Sequence, residues 1–200
     1  MPSTVRCSET KLVTAIRRRE SSGTWIETYL TNDDGQTWDF LSWVAPTGGN
    51  NGNPPGMVRL RDGRLCVTYG FRGVPYGIRA KISSDEGQTW SEEIILRDDG
   101  REWDLGYPRT VQRMDGNLMT IYYFTTDEHP EQFIGDTIWE VPAPTCAVDF
   151  RHFARFAEQW LDSGSGLAAD LDGDNVVDLF DLSWFVDEWL YSCPHGWQLR

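Results

Sequence analysis

The sequence is short of basic residues, of long apolar runs and of cysteine. Eighteen Lys and Arg stand against thirty-one Asp and Glu, a net charge of −13. A chain this acidic lacks the positive footprint that a phosphate backbone attracts, which argues against nucleic acid as a partner. No apolar stretch approaches the roughly 18–20 residues that cross a bilayer, so no membrane span is expected. Met1 to Arg6 has no apolar core of the signal-peptide kind. Cysteine occurs four times. Cys7 and Cys66 fall in strand-like stretches, where a buried free thiol is expected. Cys146 and Cys193 flank the acidic C-terminal segment as a staple would. They predict a disulfide and an oxidising, extracytoplasmic location.

Apolar residues are plentiful by contrast, at 40%, with ten Trp among 200 residues. That is enough to bury a core and argues against global disorder. The length allows one ordinary domain with a small module beside it. Charge divides the chain in the same way. From Cys146 onward ten acids face three bases, a net −7 over 55 residues, which points to a cation site.

The first 142 residues repeat. Val5 to Thr14, Val58 to Thr68 and Val111 to Thr120 align at a period of 53. Asp62-Gly63 and Asp115-Gly116 sit between β-rich runs, the pattern of tight hairpins. A second element recurs after 52 residues, Thr31 to Trp38 and Ser83 to Trp90, each flanked by strand-like runs. Four short strands about every 50 residues is the spacing of propeller blades.

The two octapeptides resemble the Asp-box, Ser/Thr-x-Asp-x-Gly-x-Thr-Trp, of sialidase-type β-propellers. In such a turn Asp33 or Asp85 accepts backbone N–H bonds, Gly35 or Gly87 supplies a positive φ, and Trp38 or Trp90 wedges between strands. The box fixes fold better than function. The resemblance implies a mainly β chain of about three blades, over residues 1–50, 55–100 and 108–142. The first blade is expected to be incomplete at Met1. Sialidase propellers have six blades, so the chain reads as the C-terminal half, a fragment.

Sialidases hold a sugar carboxylate with three Arg and attack with a Tyr that a Glu activates. Carried over by position, Tyr107, eight residues before Asp115-Gly116, maps to the nucleophile. Arg17 and Arg72, each expected to close a strand before an Asp-box, map to two of the triad arginines, with Arg79 and Arg109 as alternates. A guanidinium fork suits a carboxylate, and a phenol needs a base before it can attack. The family's Glu position falls on Tyr123, so Glu102 or Asp104 is left to serve as base. The resemblance implies a secreted sialidase-like glycoside hydrolase acting on acidic glycans. A non-catalytic carbohydrate-binding or assembly propeller is the alternative.

Pro142-Ala-Pro144 marks a linker over 143–145, and 146–200 reads as a second module. Two helical patterns repeat there at an offset of 29, Phe150 to Leu161 and Leu179 to Leu190. Their spacing predicts one buried face per helix in an antiparallel pair. Before the second helix, Asp170, Asp172, Asp174, Asp178 and Asp181 occupy positions 1, 3, 5, 9 and 12 of a twelve-residue loop, and Val176 at position 7 offers its carbonyl. A hard cation wants such oxygens, and the loop matches an EF-hand type Ca²⁺ site. Asp at position 12, with a helix only after the loop, resembles dockerin modules, which bind protein partners. The first repeat places His152 at position 12 and has no acids at its early positions, so one Ca²⁺ is expected. Leu179 and Phe180 stand where cellulosomal dockerins carry small hydroxyl residues.

Overall fold

Alternating apolar residues and glycine turns fold this chain into sheets. The computed structural model describes residues 1–49, 51–142, 148 and 150–189. The first sheet runs β1 (Ser3–Arg6), β2 (Leu12–Glu20), β3 (Gly23–Thr31) and β4 (Asp39–Pro46) in spatial order. The second repeats it with β5 (Gly56–Arg59), β6 (Leu65–Phe71), β7 (Tyr76–Ser83) and β8 (Ile94–Gly100). The third has three strands, β9 (Gly106–Gln112), β10 (Leu118–Phe124) and β11 (Phe133–Trp139). These antiparallel meanders are propeller blades. The first blade is not short of a strand as expected, because Ser3–Arg6 pairs with Leu12–Ala15 and completes four.

The first and second sheets each bury a forward face on the rear face of the next. Ala15, Ile26 and Val44 of the first sheet pack with Val67 and Tyr69 of the second. Cys66 and Ile82 of the second pack with Leu118 of the third, and Ile78 with Leu105, Tyr122 and Phe124. Both Cys7 and Cys66 are buried free thiols, as their strand context predicts. Burial pushes the Cys66 thiol up to about 12.

The two Asp-boxes fold alike. Asp33 Oδ1 accepts the Thr37 N–H at 2.9 Å, and Asp85 Oδ1 accepts the Thr89 N–H at 2.8 Å. Gly35 and Gly87 take φ of +93° and +91°. Bonds from the Thr31 and Thr37 hydroxyls hold the Asp33 carboxyl well below its ordinary range. The two Trp residues differ. Trp90 packs between the first two sheets and donates Nε1–H to Ser42 Oγ at 3.0 Å. Trp38 has no described sheet beside it, stays 39% exposed, and donates to the Gly35 carbonyl of its own turn.

The chain divides into two compact units, Met1–Pro142 and Ala143–Arg200. Cys146, Cys193 and the 143–145 linker lie outside the described residues. In the second unit α1 (Phe150–Glu158) and α2 (Leu179–Asp187) pack through aromatic rings. Phe150 meets Trp189 at 5.0 Å, and Phe156 meets Phe185 at 5.3 Å. The partner number falls as the α1 number rises, so the helices are antiparallel. The buried faces are narrower than the periodicity predicts. His152 and Phe156 are buried on α1, and Asp181 and Phe185 on α2, whereas Phe150, Leu179 and Val186 are exposed. Two nine-residue helices cannot cover a wider stripe on each other. No described helix is long and apolar enough to cross a membrane.

The contrast between the box tryptophans gives a test. Trp90→Ala should lower unfolding free energy by about 2–4 kcal/mol. Trp38→Ala should cost less than Trp90→Ala, since Trp38 is the more exposed of the two and no described sheet covers it. Urea midpoints of the two variants check the difference.

Candidate functional site

The site is assembled around one buried carboxamide. Asn53, in the loop before β5, is fully buried. Its Oδ1 accepts the N–H groups of Gly70 and Tyr107, both at 3.1 Å. Its Nδ2 donates to the Leu105 carbonyl at 3.0 Å. Gly106 permits this approach, because a Cβ there would lie 2.4 Å from Asn53 Nδ2. Gly106 has φ +117°, and Tyr107 follows at φ +49°, a left-handed conformation uncommon for a bulky side chain. The turn delivers the Tyr107 ring to the surface, 41% exposed.

Arg72 arrives from the end of β6, its backbone N–H bound to the Thr47 carbonyl at 2.8 Å. The guanidinium is buried. Nε and Nη2 donate to the Leu105 carbonyl at 3.3 and 3.2 Å, so Arg72 and Asn53 share one acceptor. Nη2 also donates to Tyr123 Oη at 3.0 Å and lies 3.8 Å from Asp104 Oδ1. The Trp103 and Tyr107 rings flank the cation at 5.3 and 6.0 Å.

Tyr123 donates to Asp104 Oδ1 at 2.6 Å, and Gln132 Nε2 donates to Asp104 Oδ2 at 2.8 Å. Burial first, then the Asp104 hydrogen bond, pushes the Tyr123 phenol above its ordinary pKa. It is therefore a neutral donor at pH 7. Gln132 also lines an open cavity of about 670 Å³ along His129–Phe133.

The structure brings Arg72 and Tyr107 together, and Asp104 joins them. Asp104 bonds Tyr123 rather than Tyr107, and Glu102 is exposed. Arg17 was expected to close its strand. Instead it lies inside β2, opposite Ile26. Its repeat equivalent is Gly70, opposite Ile78, because β2 runs on to Glu20. Arg79 is buried inside the second sheet, donating to the Pro75 carbonyl at 3.1 Å and paired with Glu93 at 3.3 Å. Arg109 is exposed and bonds the Pro108 carbonyl. Sequence reasoning passed over Asn53, Trp103 and Gln132. In the sequence Asn53 stands within Asn51-Gly-Asn-Pro-Pro55, a turn-like composition that singles out no one side chain.

In the second unit, carboxylate oxygens of Asp170, Asp172 and Asp174 lie within 4.8 Å of one another. Desolvation, and then the Asp174, Asp181 and Asp170 charges, raise the Asp172 pKa. Asn175 takes φ +70°, which holds the turn where EF-hands use Gly. Asp178 caps α2, accepting the Phe180 N–H at 2.8 Å. Val176 donates its N–H to Asp174 Oδ1 at 2.8 Å. Asp181 is fully buried and folds the loop around itself. Its Oδ1 accepts from Leu171 and Asp172 at 2.6 and 3.2 Å, and its Oδ2 from Asp178 at 2.8 Å. Three clustered hard oxygen donors fit a hard cation.

Comparison with known proteins adds a frame. Residues 1–120 match the family described as BNR repeat-like domain. A protein of unknown function from Dyadobacter fermentans DSM 18053 is 25% identical, with TM-score 0.41, over 66% of this chain and 50% of its own. The endo-arabinase of Bacteroides thetaiotaomicron is 9% identical, with TM-score 0.51, over 68% of this chain and 55% of its own. An endo-1,4-beta-xylanase of that organism is 14% identical, with TM-score 0.45, over 70% and 58%. The chain thus spans little more than half the length of these structures. No curated protein matches it.

Asn53→Ala removes three hydrogen bonds and leaves the Gly70 and Tyr107 N–H groups without their acceptor, while the Leu105 carbonyl keeps Arg72. It should cost about 2–4 kcal/mol. Denaturant unfolding measures the loss.

Proposed function

The chain belongs to the BNR repeat-like domain family, and on that premise we propose that residues 1–142 form part of a sialidase-like propeller that binds acidic glycans around Arg72. The observation that carries this reading is the Arg72 guanidinium framed by Trp103, Tyr107 and Tyr123. Half-exposed aromatic rings offer stacking faces for sugars, and the cation supplies the charge a uronate or sialate needs. In the whole protein the reaction is glycoside hydrolysis, with Tyr107 as nucleophile and Arg72 and Arg17 on the substrate carboxylate.

One observation favours binding without turnover for the chain as it stands. Among the described residues no carboxylate hydrogen-bonds the Tyr107 hydroxyl, and both Asp104 oxygens are engaged by Tyr123 and Gln132. A phenol with no base to take its proton is a poor nucleophile.

The second unit is proposed as a dockerin-like Ca²⁺ module of a secreted protein. Asp170, Asp172 and Asp174 would hold the ion, with the Val176 carbonyl, Asp178 and Asp181 as further donors. The Asp181 oxygens that accept N–H groups retain lone pairs. Ca²⁺ supplies a fixed positive centre that offsets repulsion among the carboxylates. The exposed Leu179 and Phe180 at the start of α2 would face a protein partner.

Calorimetry tests the first reading. 3′-Sialyllactose or a galacturonate oligosaccharide should bind, lactose should not, and Arg72→Met should abolish binding. Equal affinity for the neutral sugar would overturn it. A fluorogenic sialoside should not be turned over. For the tail, Ca²⁺ titrated into the full chain should show one site, lost in Asp172→Ala, with Mg²⁺ a poor substitute. At a hundredfold excess over Kd the ion should add about 2.7 kcal/mol. Absence of both heat and thermal stabilisation would sink the module.

A further inference from the structure

Asp104 stands beside the Arg72 cation and has acceptor capacity to spare. Its Oδ1 lies 3.8 Å from Arg72 Nη2. Tyr123 bridges the two, accepting from Nη2 at 3.0 Å and donating to Oδ1 at 2.6 Å. Gln132 donates to Oδ2 at 2.8 Å. An ionised carboxylate offers about four acceptor sites and no hydrogen, so two accepted bonds do not exhaust it. The Asp104 side chain is 43% exposed, within reach of a ligand.

The pair sets a condition on that ligand. A guanidinium only donates and a carboxylate only accepts. Side by side they read an acceptor and a donor on the same molecule. An acid on Arg72 alone sets two negative charges against each other beside one cation. The repulsion is offset where the ligand also gives a hydrogen to Asp104, because a hydrogen bond to an ionised acceptor is a strong one. The half-exposed rings of Trp103 and Tyr107 flank the same cation and seat the flat face of a pyranose.

We propose that the sugar recognised is a hexuronate at a non-reducing end, its carboxylate on Arg72 and its free 4-hydroxyl donating to Asp104. In a hexuronate these groups stand on neighbouring ring carbons, the carboxylate on C5 and the hydroxyl on C4. A sialate offers no such pair: the ring neighbours of its carboxylate-bearing carbon are a methylene and the ring oxygen. A uronate inside a 4-linked chain has spent the same hydroxyl on a glycosidic bond. Asp104 is thus a specificity-determining residue, which selects among acids that Arg72 alone would accept. The inference rests on the reading of Arg72 as the acid-binding cation and names the acid. Arg72 follows β6 and Asp104 precedes β9, so the pair is the same whichever further sheets complete the propeller.

Calorimetry on the full chain tests it. The ligands are a glucuronosyl disaccharide with a free 4-hydroxyl, its 4-O-methyl ether, its 4-deoxy analogue and 3′-sialyllactose. The first should bind about tenfold or more tighter than each of the others, the worth of one hydrogen bond to a charged group. In Asp104→Ala the preference for the free 4-hydroxyl should disappear. Should that variant fail to fold, the 4-deoxy sugar decides on the wild type, since it loses the hydrogen bond without adding bulk. Equal binding of the free and 4-deoxy sugars, sialyllactose bound as tightly as the uronate, or a preference that survives Asp104→Ala would each overturn the inference and leave the Arg72 reading standing. Binding of none of these ligands would overturn both.

Discussion

A β-sheet with two apolar faces is stable only where something covers each of them, and the first unit is organised by that constraint. Ile26 and Ile78 cannot be buried within their own sheets, since side chains stand perpendicular to the strands. They are buried because the next sheet lies across them. Trp90 makes the join specific by filling the gap between the first two sheets and finding a polar partner in Ser42. At Trp38, with no described sheet beside it, the same ring N–H turns to the Gly35 carbonyl of its own box.

The site inherits its rigidity from these joins. Asn53 and Arg72 reach the same Leu105 carbonyl from the second sheet and the loop before it, while Leu105 leads into the third. A displacement of one sheet against the other would break bonds to a fully buried amide, which carries a large desolvation penalty. Tyr107 is held in its left-handed conformation by that arrangement and not by its own preference.

The repeat was legible because blade geometry imposes it locally. Hairpin turns need glycine and the box turn needs Asp, Gly and Trp, so the three sheets could be placed from turn chemistry alone. Arg72 and Tyr107 were legible through position relative to those turns. Arg17 was misplaced because strand length is set by pairing partners: β2 extends to Glu20 against Gly23, and no residue type announces that. Asn53 was invisible for a related reason, since its three partners lie 17 to 54 residues away. In the tail the 29-residue offset survives as matched buried pairs, His152 with Asp181 and Phe156 with Phe185. Periodicity marked a wider stripe than two short helices can cover.

The strands of the first unit separate two kinds of turn by their full length. The Asp-boxes follow β3 and β7 at one end, whereas Arg72 and Tyr107 sit where β6 ends and β9 begins, at the other. Substitutions at the Arg72 end therefore leave the box turns of each blade untouched. The exposed rings of Trp103 and Tyr107 can thus be exchanged without touching a box turn, whereas Asn53, which ties two sheets together at that end, is not so free.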